Sequence, residues 1–275
     1  MKKILFPVLA IMALLQACKE KEILIPELSV GNRRVVVEEI TGVGCTNCPD
    51  GARELAAVAE VVGEDNLILV AIHAGNVGGG NFSTPLSTSK YDFQTQDGYD
   101  LVAQLGDIFA VPSAAISRYQ DPFDLTAWLL DSWSARITAE LGEDYKVDMF
   151  VNNEYNEITR SLDIEVRIAP EVTITGDYNL TVMITQDSIV DPQKDGLETI
   201  QNYVHRHVLR DIISSVGGNQ VTEPLTGGTL VTKNFSIVLP TTWDAKHCEI
   251  VAFIHGGANN TNKEALQAAK GKVID

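Results

Sequence analysis

Residues 34–49 read RVVVEEITGVGCTNCP. The run from Arg34 to Ile40 is rich in β-branched residues and reads as a strand. Directly after it comes Cys45-Thr46-Asn47-Cys48-Pro49, which opens a segment, Pro49 to Val62, whose Ala, Leu and Glu content is helical. Asn66 to His73 (NLILVAIH) is a second apolar strand. Strand, helix, strand within about forty residues is a βαβ unit and sets an α/β beginning to the fold.

A C-x-x-C spacing alone is a weak signal, but its place between a strand and a helix gives it chemistry. Aligned peptide dipoles and free N–H groups at a helix start stabilise a thiolate, so Cys45 is expected to be the attacking sulfur and Cys48 the resolving one. Pro49 suits the first turn, where its missing N–H costs nothing. The same pair also reads as a purely structural disulfide.

Downstream, Ala74 to Gln96 is a long stretch rich in Gly, Ser, Thr and Asn, of the kind that is usually functional or mobile, and within it Gly75 to Gly80 reads as a rim over the cysteines or as a plain surface loop. Tyr99 to Phe109 predicts a helix, Val111-Pro112 interrupts, Ser113 to Arg118 predicts a strand, and Leu125 to Leu141 an amphipathic helix. From Tyr145 the pattern changes to short strands (YKVDMFV, RSLDIEVRI, YNLTVMITQ, NYVHRHVL, LVTKNFSIVL, CEIVAFIH), with a final short helix expected at Glu264 to Lys270. Short strands so punctuated suggest a β-sandwich. The expected organisation is an α/β domain over 34–142 followed by an all-β sandwich over 143–275.

The N-terminus fixes the compartment. Lys2 and Lys3 precede the apolar stretch Ile4 to Leu14 and then Leu15-Gln16-Ala17-Cys18, the order of a secretory leader over 1–17. The stretch is too short to cross a hydrocarbon core of roughly 30 Å. Leu15, Ala17 and Cys18 resemble the lipobox of bacterial lipoproteins, which implies a lipid anchor on Cys18 and makes 18–33 a tether. A cysteine that merely follows an ordinary leader is the alternative. Export allows disulfides. With Cys18 assigned to lipid, Cys45 and Cys48 form the close pair, and Cys248, in an apolar strand, is expected to be buried and inert.

The chain has 275 residues and a formal charge of −16; the leader carries two lysines and no acid, so its loss makes the charge more negative still. Such a surface repels phosphate backbones, which excludes nucleic acid as a partner. No cofactor motif is present: GNVGGG (75–80) lacks the Lys-Ser or Lys-Thr of a phosphate loop. His205-Arg206-His207 offers two imidazoles on one face if that segment is a strand, but no second C-x-x-C completes a zinc knuckle, so no metal is expected.

The βαβ context of the cysteines resembles the thioredoxin superfamily. That resemblance implies a buried proton-transfer acid at Glu39, six residues before Cys45, and a cis-proline loop at Val111-Pro112 that receives substrate backbone. An acid at a strand end is also often just solvated. His73, at the C-terminal end of the second strand, falls on the same sheet edge as Cys45 and is a candidate pocket residue or an ordinary structural histidine. Val37-Glu38-Glu39-Ile40-Thr41-Gly42, with the cysteine motif and with Tyr203-Val204-His205-Arg206-His207-Val208-Leu209-Arg210, resembles the outer membrane protein 28 family of lipoproteins. This implies a thioredoxin-like domain followed by a β-sandwich and residence on the outer membrane, and the tether limits the cysteine pair to partners near the membrane, such as cell-envelope proteins. The Thr46-Asn47 dipeptide departs from the pairs of well-understood oxidoreductases, and no Trp precedes Cys45. Two functions remain in view: thiol–disulfide exchange, or a binding and assembly module with a static disulfide.

Overall fold

In the computed structural model, residues 33–74, 76–77, 80–121 and 126–274 are described. The leader, Cys18 and the tether up to residue 32 lie outside them.

Strand β1 (Val35–Thr41) is buried almost throughout, as a strand covered on both faces must be. Helix α1 (Cys48–Val62) carries Pro49 and Asp50 in its first turn and ends at Gly63, whose φ of 92° favours glycine. Strand β2 (Leu67–His73) runs parallel to β1, with Val35 opposite Leu67 and Thr41 opposite His73. A short antiparallel pair follows, β3 (Asn76–Val77) with β4 (Gly80–Asn81). Helix α2 (Gln96–Leu105) begins where the Thr95 hydroxyl accepts from Gly98 N, a cap that starts the helix earlier than residue 99. Strands β5 (Ser113–Ile116) and β6 (Ala127–Leu129) are antiparallel to their neighbours, and helix α3 (Trp133–Leu141) closes this half. The long helix expected from Leu125 is therefore a strand, a single 3₁₀ turn and a shorter helix.

The second half consists of β7 (Val147–Tyr155), β8 (Ser161–Pro170), β9 (Tyr178–Gln186), β10 (Ile189–Asp195), β11 (Glu198–His205), β12 (Val208–Ile212), β13 (Asn219–Gln220), β14 (Val231–Val238), β15 (Cys248–Gly256) and β16 (Ala265–Lys272). Among the described residues strand is the dominant structure. The final helix expected over 264–270 is strand β16, because pairing with the edge of β15, Ala252 opposite Ala269, outweighs the helix propensity of an alanine-rich segment. The expected single strand NYVHRHVL is broken at Arg206-His207, where His207 has a φ of 53°.

One sheet runs through both halves in the order β16-β15-β9-β12-β2-β1-β5-β6. The join is short: Val208 of β12 pairs parallel with Ala71 of β2, and Ala71 N donates to His207 O at 2.7 Å. The described residues accordingly form one compact unit, with the 142/143 division falling between α3 and β7 while the sheet passes across it. Alternation along β1 divides the core. Val35 and Val37 join Leu55, Val58 and Ala59 of α1 with Trp133 and Ile137 of α3 on one face. Val36 and Ile40 join Leu101, Val102 and Leu105 of α2 with Met183, Val251 and Phe253 on the other. A second sheet, β14-β8-β7, packs its Leu162, Ile164, Val166 and Ile168 against Leu180, Val182, Ile184 and Ile250 of the large sheet. The sandwich thus borrows one of its layers from the continuous sheet.

Candidate functional site

Cys45 and Cys48 are joined in a disulfide, with Cα atoms 5.4 Å apart. The loop between β1 and α1 that carries them fits closely under its neighbours. A Cβ on Gly42 would come within 2.4 Å of the Phe82 carbonyl oxygen, so only glycine allows that approach. Gly44 N donates to the same carbonyl at 2.7 Å, and the Ser83 hydroxyl donates to Thr41 O. Part of the polar 74–96 segment is therefore packed against the cysteine loop.

The other cover is the β10–β11 hairpin, which comes from the second half of the chain. Gln193 Nε2 donates to Gly42 O at 3.2 Å and Cys45 O at 3.1 Å; Lys194 N donates to Val43 O at 2.9 Å, and Gly196 N to Thr46 O at 2.8 Å. Arg53 of α1 pairs with Asp195 beside the turn. Cys45 and Cys48 are left 3% and 2% exposed. None of these hairpin contacts was anticipated from the sequence, although a glycine at the first of the two loop residues, Gly196-Leu197, is a hairpin-turn signal.

Glu39 faces the α1 and α3 side of the sheet because it shares the parity of Val35 and Val37. It is 6% exposed, and its Oε1 has no hydrogen-bond partner among the described residues. Burial alone pushes its carboxyl up to about 8. Gly51 of α1 lies directly over it: a Cβ there would be 3.1 Å from Glu39 Oε1 and 2.9 Å from the Trp133 ring. Helix and carboxyl can be this close only because position 51 has no side chain.

His73, at the end of β2, is buried and its Nδ1 lacks a partner among the described residues. Its ring lies 4.9 Å from Phe93 and 6.0 Å from His205, centroid to centroid. Burial first, then the neighbouring His205, lowers its pKa to about 3; burial lowers that of His205 to about 4. Both rings are neutral at physiological pH. His205 and His207 do not share a strand face: His207 lies beyond β11 and its Nδ1 is 3.3 Å from Asp187. Among the described residues no group of three or more His, Cys, Asp and Glu is arranged to hold a metal.

Pro112 is buried, and the Val111–Pro112 bond is cis. Because Ser113 pairs with Ile40, Pro112 stands at the end of the sheet where β1 enters the cysteine loop. Cys248 is buried, and its thiol is pushed up to about 12 by burial.

A cleft of about 640 Å³ lies along one side of α1, floored by β2 and bounded opposite by residues 203–207. Glu39, Cys48, His73, Tyr203 and His205 all line it; Cys45 and Pro112 do not. The structure thus brings Glu39, Cys48 and His73 to one cavity and leaves the other sulfur beneath the hairpin.

The sequence profile of the outer membrane protein Omp28 family matches residues 103–274, well over half of the chain. The chain belongs to this family. The match takes in α3, both β-sheet layers of the second half and the Tyr203 to Arg210 segment, and begins after the cysteine loop. No curated protein matches the sequence. In structure the chain is similar to HBP35 of Porphyromonas gingivalis, with a TM-score of 0.69 at 16% identity over 88% of this chain and 75% of that one. At that identity the likeness is one of fold. Membership of the Omp28 family fits placement in the outer membrane.

Proposed function

We propose that this Omp28 family member is a lipid-anchored envelope protein, held through Cys18, whose thioredoxin-like segment over 34–142 exchanges thiols and disulfides through Cys45 and Cys48. The observation that carries this reading is Glu39. A buried carboxyl without a partner is costly. Here it lies in the cavity that Cys48 lines, six residues before Cys45, where it can hold or release a proton as a sulfur leaves or attacks. Further support comes from the chain order, with the disulfide between β1 and α1 and a buried Pro112 just before β5.

The hairpin favours a second reading, a binding or assembly module with a static disulfide, since four hydrogen bonds hold it over the cysteine loop. Equilibration of the full chain with glutathione redox buffers separates the two. Exchange predicts a potential less negative than about −300 mV, and the static disulfide one below it. Replacement of Glu39 by Gln should slow exchange at least tenfold if the acid moves the proton, and leave a static bond unchanged.

A further inference from the structure

We propose that the exchange partner of this disulfide is a low-molecular-weight thiol or its disulfide, and that it reacts at Cys48 rather than at Cys45. This rests on the exchange reading above and reverses the order of attack that the helix start suggests. Two observations on opposite sides of the bond carry it.

On the Cys45 side the approach is filled. An extended protein substrate docks by backbone hydrogen bonds to a free strand edge or loop. Here the carbonyls of Gly42, Val43, Cys45 and Thr46 already accept from the β10–β11 hairpin. The chain is in effect its own occupant of that surface. On the Cys48 side lies the cleft of about 640 Å³, within the range that takes a small ligand and too small in volume to hold a folded partner. Cys48 lines its wall and Cys45 does not.

The chemistry balances with the thiol alone. The small thiol gives up its proton and its sulfur attacks Cys48 Sγ; a new S–S bond forms as the Cys45–Cys48 bond breaks, and its electron pair goes to Cys45 Sγ. Cys45 then takes up the proton that the small thiol released. A second small thiol gives up its proton and attacks the small-molecule sulfur of the mixed disulfide; a small symmetrical disulfide leaves, the electron pair goes to Cys48 Sγ, and Cys48 takes up a proton that Glu39, in the same cleft, is placed to relay, so both cysteines end reduced. In reverse, a small disulfide is the oxidant.

The test uses the full-length chain in detergent and glutathione as probe. In the wild type, acid quenching during partial reduction and peptide mass analysis identify which cysteine carries the glutathione. The expected result is glutathione on Cys48. Cys45→Ser should react with glutathione disulfide at least tenfold faster than Cys48→Ser. Labelling of the buried Cys248 reports any variant that has lost its fold, in which case the wild-type quench decides. Glutathione found mainly on Cys45 would overturn the proposed site while leaving exchange itself intact. No adduct on either cysteine would overturn both.

Discussion

Glu38 and Glu39 are adjacent, both buried, and opposite in every other respect. Glu38 points to the α2 side, where Arg118 grips it with two hydrogen bonds of 2.7 and 2.8 Å and Arg118 in turn meets His255 and the face of Phe253. Glu39, one residue on and therefore on the other face, has burial without a counter-charge and holds its proton up to about pH 8. The same side chain thus serves two ends within 4 Å of strand. A buried acid with a fitted partner joins parts of the fold; one without a partner, beside a disulfide and a cavity, is a candidate for chemistry.

The largest effect should come from unpairing Glu38. Arg118→Ala leaves a carboxylate buried without its cation and should cost about 3–5 kcal/mol in denaturant unfolding. A loss below about 1 kcal/mol would erase the contrast between the two acids. Glu39→Gln should act through pH. The folded-state pKa of about 8 lies above the ordinary 4.5, so the wild-type contribution is fully present below about pH 4.5 and is lost as pH rises through 8. At about 1.4 kcal/mol per pKa unit, the variant should be up to about 5 kcal/mol more stable relative to wild type at pH 9 than at pH 4. Equal pH profiles would place the Glu39 charge in water.

Gly51→Ala sharpens the comparison from the helix side. Its Cβ meets the Trp133 ring and Glu39 Oε1, so about 1–3 kcal/mol of stability should be lost, and the Glu39 carboxyl should be displaced, which a changed Glu39 carboxyl carbon-13 shift would report. The smallest effect is expected for Gln193→Ala, which removes two hydrogen bonds from the hairpin to the cysteine loop at about 1 kcal/mol. Amide exchange should rise at residues 42–46 and remain unchanged around Arg118.

The local elements around the cysteines were legible because hydrophobic pattern and punctuation agree there: β1, α1 and β2 fall close to where RVVVEEI, Pro49 to Val62 and NLILVAIH place them. Parity along β1 also contains the split between Glu38 and Glu39, once both faces of the strand are known to be covered. What was not legible depends on contacts between residues far apart in sequence. Strand β16 forms because β15 offers an edge, not because Ala265 to Lys272 prefers extended backbone. The sheet's continuity through Val208 and Ala71 and the cap by Gln193 over Cys45 involve separations of over a hundred residues, and no local pattern encodes them. The proposed site of attack rests on that cap together with the cleft that Cys48 lines, and both depend on such long-range contacts.

The protonation of Glu39 tests the account most directly. Titration of its side-chain carboxyl by carbon-13 NMR, assigned by comparison with Glu39→Gln, should give a midpoint near 8 in the disulfide-bonded protein. A midpoint near 4.5 would contradict the account, because Glu39 would then be an ordinary solvated carboxylate with no proton to supply to the cysteines.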